Sequence, residues 1–381
     1  MKDAGIRDVR SLQIIEAFDH FEVLHGWLSL LHDLPVRVTI HVSEQYRPDF
    51  ETRNPGITFL GPAKSQSWPT YLRTLQDETA TTWVIVTIGR RPAWFRPLVK
   101  FRDLYIVLHD LNYSFSTTQA LARENPLLVW GKRLVGFPHR RQLHRLMQGA
   151  VGYLYPTPSL REYGAEQPYY GRKRHLHLPF AAAQQATRSD GFLHGLTIVI
   201  PGAVRRATRD YNVLYRALEM IMERAKKPVT VHFAGLVTDS GITRDFNRLQ
   251  SREKSRETPG QQLSVIFHPT GLSIEAYDRL LAAADILISP VRQHVRISGT
   301  WEILGRTKIT GGFFDAIRFS KPLFVPDWYD PSNKDLLRYT TATDLAESIC
   351  ALAALSTPVR VHYSRYTSDQ LKEDWLALLS V

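Results

Sequence analysis

Short apolar runs, bounded by polar turns and separated by helix-length segments, recur along the whole chain. In the first half they are Ser11 to Ile15, Val36 to Val42, Ile57 to Leu60, Trp83 to Ile88, Leu104 to Leu108 and Ala150 to Tyr155. Each is rich in β-branched or aromatic residues and too short for a helix, which predicts buried strands. Between them, Phe21 to Leu31 places Val23, Trp27, Leu30 and Leu31 on one side of a helix, and Tyr71 to Gln76 lies in another. Strands joined by helix-length connections argue for parallel βαβ units.

After Pro179-Phe180 the pattern breaks, and Ala181 to Gly191, small and polar, reads as a linker. A second alternating series follows. Leu196 to Ile200, Val229 to Phe233, Ser264 to Phe267 and Asp285 to Ser289 are predicted strands. Tyr211 to Ala225 is a predicted helix with Leu214, Leu218 and Ile221 in phase, and Ile274 to Ala284 is another, with Tyr277, Leu280, Leu281 and Ala284 on one stripe. Phe246 to Arg256 is polar, either helical or disordered, and Ala342 to Leu355 is helical. The expected fold class is α/β: two Rossmann-like doubly wound parallel-sheet domains facing a central cleft. The expected domains are 1–182, 193–365, and a helix over 366–381 that returns toward the first. Ligands of such folds bind outside the carboxyl ends of the strands.

One stretch concentrates candidate chemistry. From Arg306 to Pro326, Lys308 and Thr310 precede Gly311-Gly312, Phe313 to Phe319 reads as a short helix, and Lys321-Pro322 leads into the strand Leu323-Phe324-Val325. Glycines at a helix start admit a ligand to backbone N–H groups, and the helix dipole favours an anion there. Lys308 adds a full charge, and Asp315, about a turn further on, can accept bonds from sugar hydroxyls. The stretch reads as a cradle for the diphosphate and ribose of an activated sugar, or as a polar loop with a glycine turn.

Composition narrows the picture. At 381 residues the chain holds two full cores, and 44% hydrophobic with 22% charged residues are globular values. A net charge of +11 implies an anionic partner: nucleic acid, a phosphate-bearing substrate or an acidic membrane. Cys350 is the single cysteine, which excludes an internal disulfide and suits a reducing compartment. The first eight residues lack an apolar signal core, and no run is long enough to span a bilayer. The expected location is therefore cytoplasmic, peripheral at the inner face of the membrane.

Thr310-Gly311-Gly312, Asp315, Ala316 and Lys321-Pro322 together resemble the donor segment of GT-B glycosyltransferases, in the broad group around family 4. The resemblance extends to Ile200-Pro201-Gly202 with Arg209-Asp210-Tyr211, to the strand–helix–strand from Gln262 to Pro290, and more loosely to Leu108-His109-Asp110, Tyr155-Pro156-Thr157 and Leu178-Pro179-Phe180. It implies a donor site in the second domain formed by Gly202, Arg209, Lys308, Thr310, Gly311, Gly312 and Asp315. It also implies a reaction centre at His109 and Asp110 and an acceptor held by the first domain. Two departures stand out. The acid that retaining members carry eight positions before the helix acid is Thr307 here, and the usual glycine-rich loop after the first strand is replaced by Glu16-Ala17-Phe18-Asp19-His20.

Glycosyl transfer explains these residue types. A departing nucleoside diphosphate gathers negative charge, which cations and N–H donors stabilise more in the transition state than in the ground state. With no Asp-x-Asp pair or His/Cys metal cluster in the sequence, no metal or other cofactor is expected. An inverting reaction would also need a base for the acceptor hydroxyl, for which Asp110, His109 and His20 are candidates. His109 and Asp110 would equally serve to end a strand, His20 with Glu22 and His25 to open a helix, and Arg205 and Arg206 as surface charge. His175 and His177 read as ordinary exposed strand positions, and Arg292, His294 and Arg296 as a loop.

Two basic clusters remain. Arg90, Arg91, Arg96, Lys100 and Arg102 interleave with Trp94, Phe95 and Pro97, and Lys132, Arg133, Arg140, Arg141 and Arg145 lie near Phe137. Basic segments with exposed aromatics suit an anionic membrane or nucleic acid, and a solvated face explains them as well. The expectation is a glycosyltransferase using a nucleotide-sugar donor and a glycan or lipid-linked acceptor, with membrane ahead of nucleic acid as a surface partner. The alternatives are a nucleotide-sugar epimerase or hydrolase on the same fold, or a non-catalytic nucleotide- or nucleic-acid-binding protein.

Overall fold

The computed structural model describes residues 10–18, 21–78, 80–89, 91–115, 137–168, 170–184, 195–224, 227–254, 263–297, 299–330, 332–355, 359 and 361–380. His20, Arg90, Lys132, Arg133 and the linker residues after 184 lie outside them. The chain forms two units. The first comprises Met1–Ala182, Ile297–Glu302 and Ser368–Val381, and the second Ala183–Arg296 and Ile303–Thr367.

In the first unit, β1 (Ser11–Ile15), β2 (Arg37–His41), β3 (Thr58–Leu60), β4 (Thr81–Ile85), β5 (Leu104–Val107), β6 (Gly152–Tyr155) and β7 (Arg174–His177) form one sheet in the order β3-β2-β1-β4-β5-β6-β7. All its pairings are parallel. β4 to β6 are buried at every position, as continuous apolar runs covered on both faces must be. The strand order reverses between β1 and β4, the switch point of a doubly wound sheet. Trp27 of α1 (Phe21–Leu31) is fully buried, donates its indole N–H to the Pro179 carbonyl at 2.7 Å and meets Trp375 edge-on at 5.1 Å. Trp375 belongs to the last helix, Ser368–Leu379, so this unit closes on the end of the chain.

The second unit repeats the plan. β8 (Leu196–Ile200), β9 (Val229–Phe233), β10 (Leu263–Phe267), β11 (Ile286–Ile288), β14 (Leu323–Pro326) and β15 (Leu337–Tyr339) form a six-stranded sheet in the order β10-β9-β8-β11-β14-β15, again parallel. Its reversal lies between β8 and β11. One core joins the sheet to the helices Tyr211–Arg224, Ser240–Lys254 and Ala342–Ala353 through Leu214, Leu218, Phe233, Phe246, Leu345 and Ile349.

Several sequence expectations need correction. Arg292 lies in a loop, but His294 and Arg296 do not: β12 (His294–Ile297) and β13 (Thr300–Ile303) form a two-stranded sheet that turns at Gly299, which has φ +83°. Of the two readings left open for Phe246 to Arg256, the helical one holds over its described part, where Ile242, Phe246 and Leu249 bury one face of the helix Ser240–Lys254. The aromatics beside the first basic cluster are buried or half-buried rather than exposed. Phe95 is fully buried, and Trp94 is stacked on Phe18 at 5.4 Å with the Arg91 guanidinium 4.5 Å over its ring. His175 and His177 are half-buried rather than exposed, and His175 bonds the Tyr155 hydroxyl at 2.8 Å.

His177 Nδ1 lies 3.6 Å from Asp374 Oδ2 of the last helix. Burial chiefly raises the Asp374 carboxyl to about 6. A folded-state value above the unfolded one makes the folded state the tighter proton binder between the ordinary carboxylate range and about pH 6. Stability from this group is therefore greatest at the acid end and is lost as pH rises through 6. Asp374→Asn should flatten that slope and raise the melting temperature at pH 7 by about 2–4 °C, read by calorimetry from pH 4.5 to 7.5.

Candidate functional site

At the reversal of the second sheet, β8 runs into Pro201-Gly202 and β11 into Ser289-Pro290. Gly202 has φ +80°, and a Cβ there would lie 2.8 Å from Arg209 Nη2, so the turn needs glycine on both counts. The Gly202 carbonyl is in turn so close to Gly235, at the end of β9, that a Cβ on Gly235 would fall 2.1 Å from it.

Arg209 sits on this turn at 6% exposure. Its backbone bridges Val291, Asp210 N–H donates to the Pro290 carbonyl at 2.6 Å, and Arg292 Nε donates to the Arg209 carbonyl at 3.2 Å. The main chain is thus held on both sides. Nη2 donates to the Pro201 carbonyl, while Nη1 is buried with no hydrogen-bond partner. Burial pushes the guanidinium pKa down, against the pull of Tyr211, Tyr277, Asp315 and Tyr339. The Ser289 hydroxyl is likewise buried without a partner, while the Tyr211 hydroxyl has the Arg205 backbone N–H beside it. Buried polar groups in native proteins are normally satisfied, so the two orphans Arg209 Nη1 and Ser289 Oγ point to a missing acceptor.

The helix Gly311–Arg318 begins against the same turn. A Cβ on Gly312 would meet Pro201 Cγ and Ser289 Oγ at 2.7 Å, so Gly312 lets the helix pack on the strand end. Gly311 has nothing within 4 Å of such a Cβ and is exposed, so the N–H end of the helix is open there. Thr310 N–H donates to the buried Tyr329 hydroxyl at 3.0 Å, which fixes the entry to the helix. Asp315 Oδ2 accepts the Tyr277 hydroxyl at 2.7 Å from the helix Ile274–Ala283. Arg318 and Asp278 form a bidentate pair between the same two helices.

Lys308 is half-buried in a turn closed by Gly305 N–H to its carbonyl at 2.7 Å. Thr307 is fully buried, and its hydroxyl accepts from Ile303 N–H at 2.8 Å and donates to the Ile303 carbonyl. At the position where the resemblance places a second acid, the side chain therefore serves its own turn.

In the first unit, His109 follows β5. Its Nε2–H donates to the Val86 carbonyl at 2.8 Å, and its ring lies 5.0 Å from that of Phe180. A carbonyl only accepts, so the proton is on Nε2, and a neutral ring carries its lone pair on Nδ1. Asp110 opens the helix Leu111–Phe115 and accepts Ser114 N–H on its carbonyl. Glu302 was not signalled by the sequence. It is fully buried and accepts Asn112 N–H at 3.2 Å and Tyr113 N–H at 2.8 Å, capping that helix. Asn112 also donates to the Trp301 carbonyl at 2.9 Å and accepts the Tyr163 hydroxyl at 2.8 Å. Glu16, where a glycine-rich loop was absent, is fully buried and accepts Phe18 N–H and the Thr87 hydroxyl, both at 2.7 Å. Among the described residues no three His, Cys, Asp or Glu side chains are grouped to hold a metal ion, and no helix is long and apolar enough to cross a membrane.

No family model and no curated protein matches the chain. Solved structures do. The N-terminal domain of a trehalose-6-phosphate phosphatase from Candida albicans aligns with TM-score 0.53 and 13% identity over 97% of this chain and 93% of its own. A trehalose-6-phosphate structure from E. coli bound with UDP-2-fluoro glucose aligns with TM-score 0.55 and 11% identity over 97% and 99%. A protein of Listeria monocytogenes proposed to be a UDP-N-acetylglucosamine 2-epimerase aligns with TM-score 0.54 and 11% identity over 98% and 96%. The fold is GT-B. Identities this low establish the GT-B architecture alone.

The two glycines make a direct test of how the helix start is built. Gly312→Ala forces a methyl into Pro201 and Ser289 and should cost about 1–3 kcal/mol of unfolding free energy. Gly311→Ala meets open space and should leave stability within about 0.5 kcal/mol of wild type in urea denaturation.

Proposed function

We propose that this chain is a glycosyltransferase that moves a sugar from a nucleoside-diphosphate sugar to a glycan or lipid-linked acceptor without a metal ion. The observation that carries the reading is the buried Arg209 guanidinium, its Nη1 without a partner, at the strand-order reversal of the second sheet. A charge so placed is costly unless an anion meets it. The Ser289 hydroxyl, unpaired and buried, and the open Gly311 N–H supply further donors. A diphosphate offers the matching acceptors.

In this reading Arg209, Lys308 and the dipole of the helix Gly311–Arg318 take up the negative charge that builds on the departing diphosphate. Asp315 accepts from the donor ribose. His109 and Asp110 act at the acceptor side, His109 held by its Nε2–H on the Val86 carbonyl. Thr307 has spent its hydroxyl on Ile303, so an acid is not available at that point of the donor loop. The excess basic charge, with Arg96, Lys100 and Arg102 exposed, fits a protein working at the inner face of an anionic membrane.

Nucleoside diphosphates and their sugars should raise the melting temperature of the wild type, with at least one sugar donor transferred to an acceptor. Arg209→Lys should keep the charge but lose the planar fork and bind that nucleotide at least about tenfold more weakly. Lys308→Ala should lower turnover by about 10²-fold with the fold intact. Both activities should survive EDTA. Loss of turnover on chelation, restored by magnesium or manganese, would replace the proposed charge scheme with a metal. Release of free sugar, or epimerised donor, with no transfer to any acceptor would replace transfer with hydrolysis or epimerisation.

The membrane part of the reading is checked separately by sedimentation with anionic vesicles. Wild type should bind them, less so as salt rises, because the attraction is screened over about 8 Å at physiological ionic strength. Arg96→Gln with Lys100→Gln should weaken vesicle binding while leaving nucleotide affinity unchanged. Equal sedimentation with neutral vesicles would exclude the electrostatic attachment.

A further inference from the structure

The helix Ser240–Lys254 carries a concentration of positive charge that the donor reading does not use. Ile242, Phe246 and Leu249 bury one face of it, and Arg244, Asn247, Arg248 and Arg252 are exposed on the other. The arginines recur every fourth residue, so they form one row, each about 6 Å further along the helix than the last. With Thr243, Asn247 and Tyr215 of the helix Tyr211–Arg224 they line an open groove of about 900 Å³. The charge of the row is not cancelled by the helix's own acid. Asp245, between the first two arginines, is turned to Arg206 at 2.5 Å, and Arg206 also reaches Asp239 at 3.2 Å. Arg252 pairs with Glu219 at 3.3 Å, while Arg244 and Arg248 pair with no carboxylate among the described residues.

The lining favours an anionic sugar polymer over other polyanions. Guanidinium groups grip carboxylate or sulfate through paired N–H bonds. Thr243 and Asn247 stand beside them, and a hydroxyl and an amide both give and take hydrogen bonds, as sugar hydroxyls require. No large apolar side chain among the described residues of this helix is exposed to enter a membrane. Tyr215, the ring that lines the groove, is half-buried and packs edge-on with Phe246 at 5.7 Å, so it is not a free platform on which bases stack. Resting on the transferase reading above, we propose that this groove binds an acidic polysaccharide, a chain of sugars carrying carboxylate or sulfate groups, and that the acceptor belongs to that class. The helix follows β9, so its start lies at the carboxyl end of the sheet. Arg206, on the segment between Gly202 and Arg209, ties that start to the candidate site through Asp239 and Asp245.

Polygalacturonate, uncharged dextran and a single-stranded thymidine oligomer of similar length are titrated calorimetrically into the wild type and two double variants. One is Arg244→Gln with Arg248→Gln; the other, Arg96→Gln with Lys100→Gln, removes the same charge from the first unit. Wild type should bind polygalacturonate, less tightly as salt rises, and should not bind dextran. The Arg244 and Arg248 variant should bind it about tenfold more weakly, and the Arg96 and Lys100 variant within about twofold of wild type. Both groove arginines are exposed, so their variant should melt with the wild type. If it does not, the single variants Arg244→Gln and Arg248→Gln, each about threefold weaker, carry the test. Equal losses in the two double variants show attraction to net charge alone and overturn the proposal, as does a wild type that leaves polygalacturonate unbound. Tighter binding of the oligonucleotide, lost with the same two arginines, overturns it in favour of nucleic acid. Nucleoside diphosphates should bind the wild type and the Arg244 and Arg248 variant alike. If polygalacturonate binds as described and no nucleoside diphosphate does, the groove stands as a glycan site, and the transferase reading falls together with the acceptor assignment.

Discussion

A guanidinium taken out of water must be met by acceptors, and the second unit is arranged around that demand. Desolvating such an ion costs several kcal/mol even after relaxation. Arg209 receives one neutral acceptor, the Pro201 carbonyl, and the pull of the Asp315 charge, with Tyr211, Tyr277 and Tyr339 also near enough to act on it. The local backbone is set by this placement. Gly202 must be left-handed and bare because the guanidinium occupies the space of its side chain, and Gly312 must be bare because Pro201 and Ser289 occupy the space of its own. Residues 208–210 are tied to 290–292 so that the arginine cannot swing into water. An arrangement that keeps a cation buried with one N–H end unpaired is stable only because packing elsewhere in the unit exceeds its cost, which is the common position of a binding site.

Much of the architecture was legible because its strands are continuous apolar runs. Leu196–Ile200 and Val229–Phe233 match their predicted bounds residue for residue, since short β-branched and apolar stretches between polar turns leave little room for another reading. The β12–β13 pair was missed because Val295, Ile297, Trp301 and Ile303 alternate with polar residues over runs of four, too short to stand apart from a loop. The aromatics near Arg91 were misjudged for a different reason. Interleaved charge suggested an exposed face, but the 3-10 helix Pro92–Lys100 turns every third residue inward, burying Pro92, Phe95 and Leu98. Glu302 could not have been found from local sequence. Its partners, Asn112 and Tyr113, lie about 190 positions away, and nothing in Trp-Glu-Ile marks a helix cap.

The candidate site divides along the same line. Glycines, a lysine and a carboxylate at a helix start have a local signature, and Arg209 followed from the turn after the first strand of its unit. The groups that decide how these side chains behave come from elsewhere in the chain. Tyr277 looked like one more apolar position on a helical stripe with Leu280 and Leu281, yet its hydroxyl reaches Asp315 thirty-eight residues on. Ser289 looked like the end of a strand, yet it is an orphaned donor beside Gly312. A periodic pattern reports which face of an element is buried. It does not report which polar atom on that face meets which partner, because that depends on the register of helices joined only in three dimensions.

In the loop before the helix Gly311–Arg318 the same three-dimensional pairing uses up most polar groups. Between Ile303 and Thr310, the Thr307 hydroxyl closes on Ile303, the Gly305 N–H closes on the Lys308 carbonyl, and the Thr310 N–H is taken by Tyr329. Each of these polar groups satisfies the loop itself, which makes the loop stiff and removes it from direct recognition. The polar groups not spent on closing this loop are the Gly311 N–H and the donors at the strand-order reversal. A loop held in this way loses little entropy on meeting any ligand. The carboxylate of Asp315 is treated in the same way. Tyr277 ties one of its oxygens to the neighbouring helix, so its position is fixed by packing in three dimensions rather than by its own helix alone.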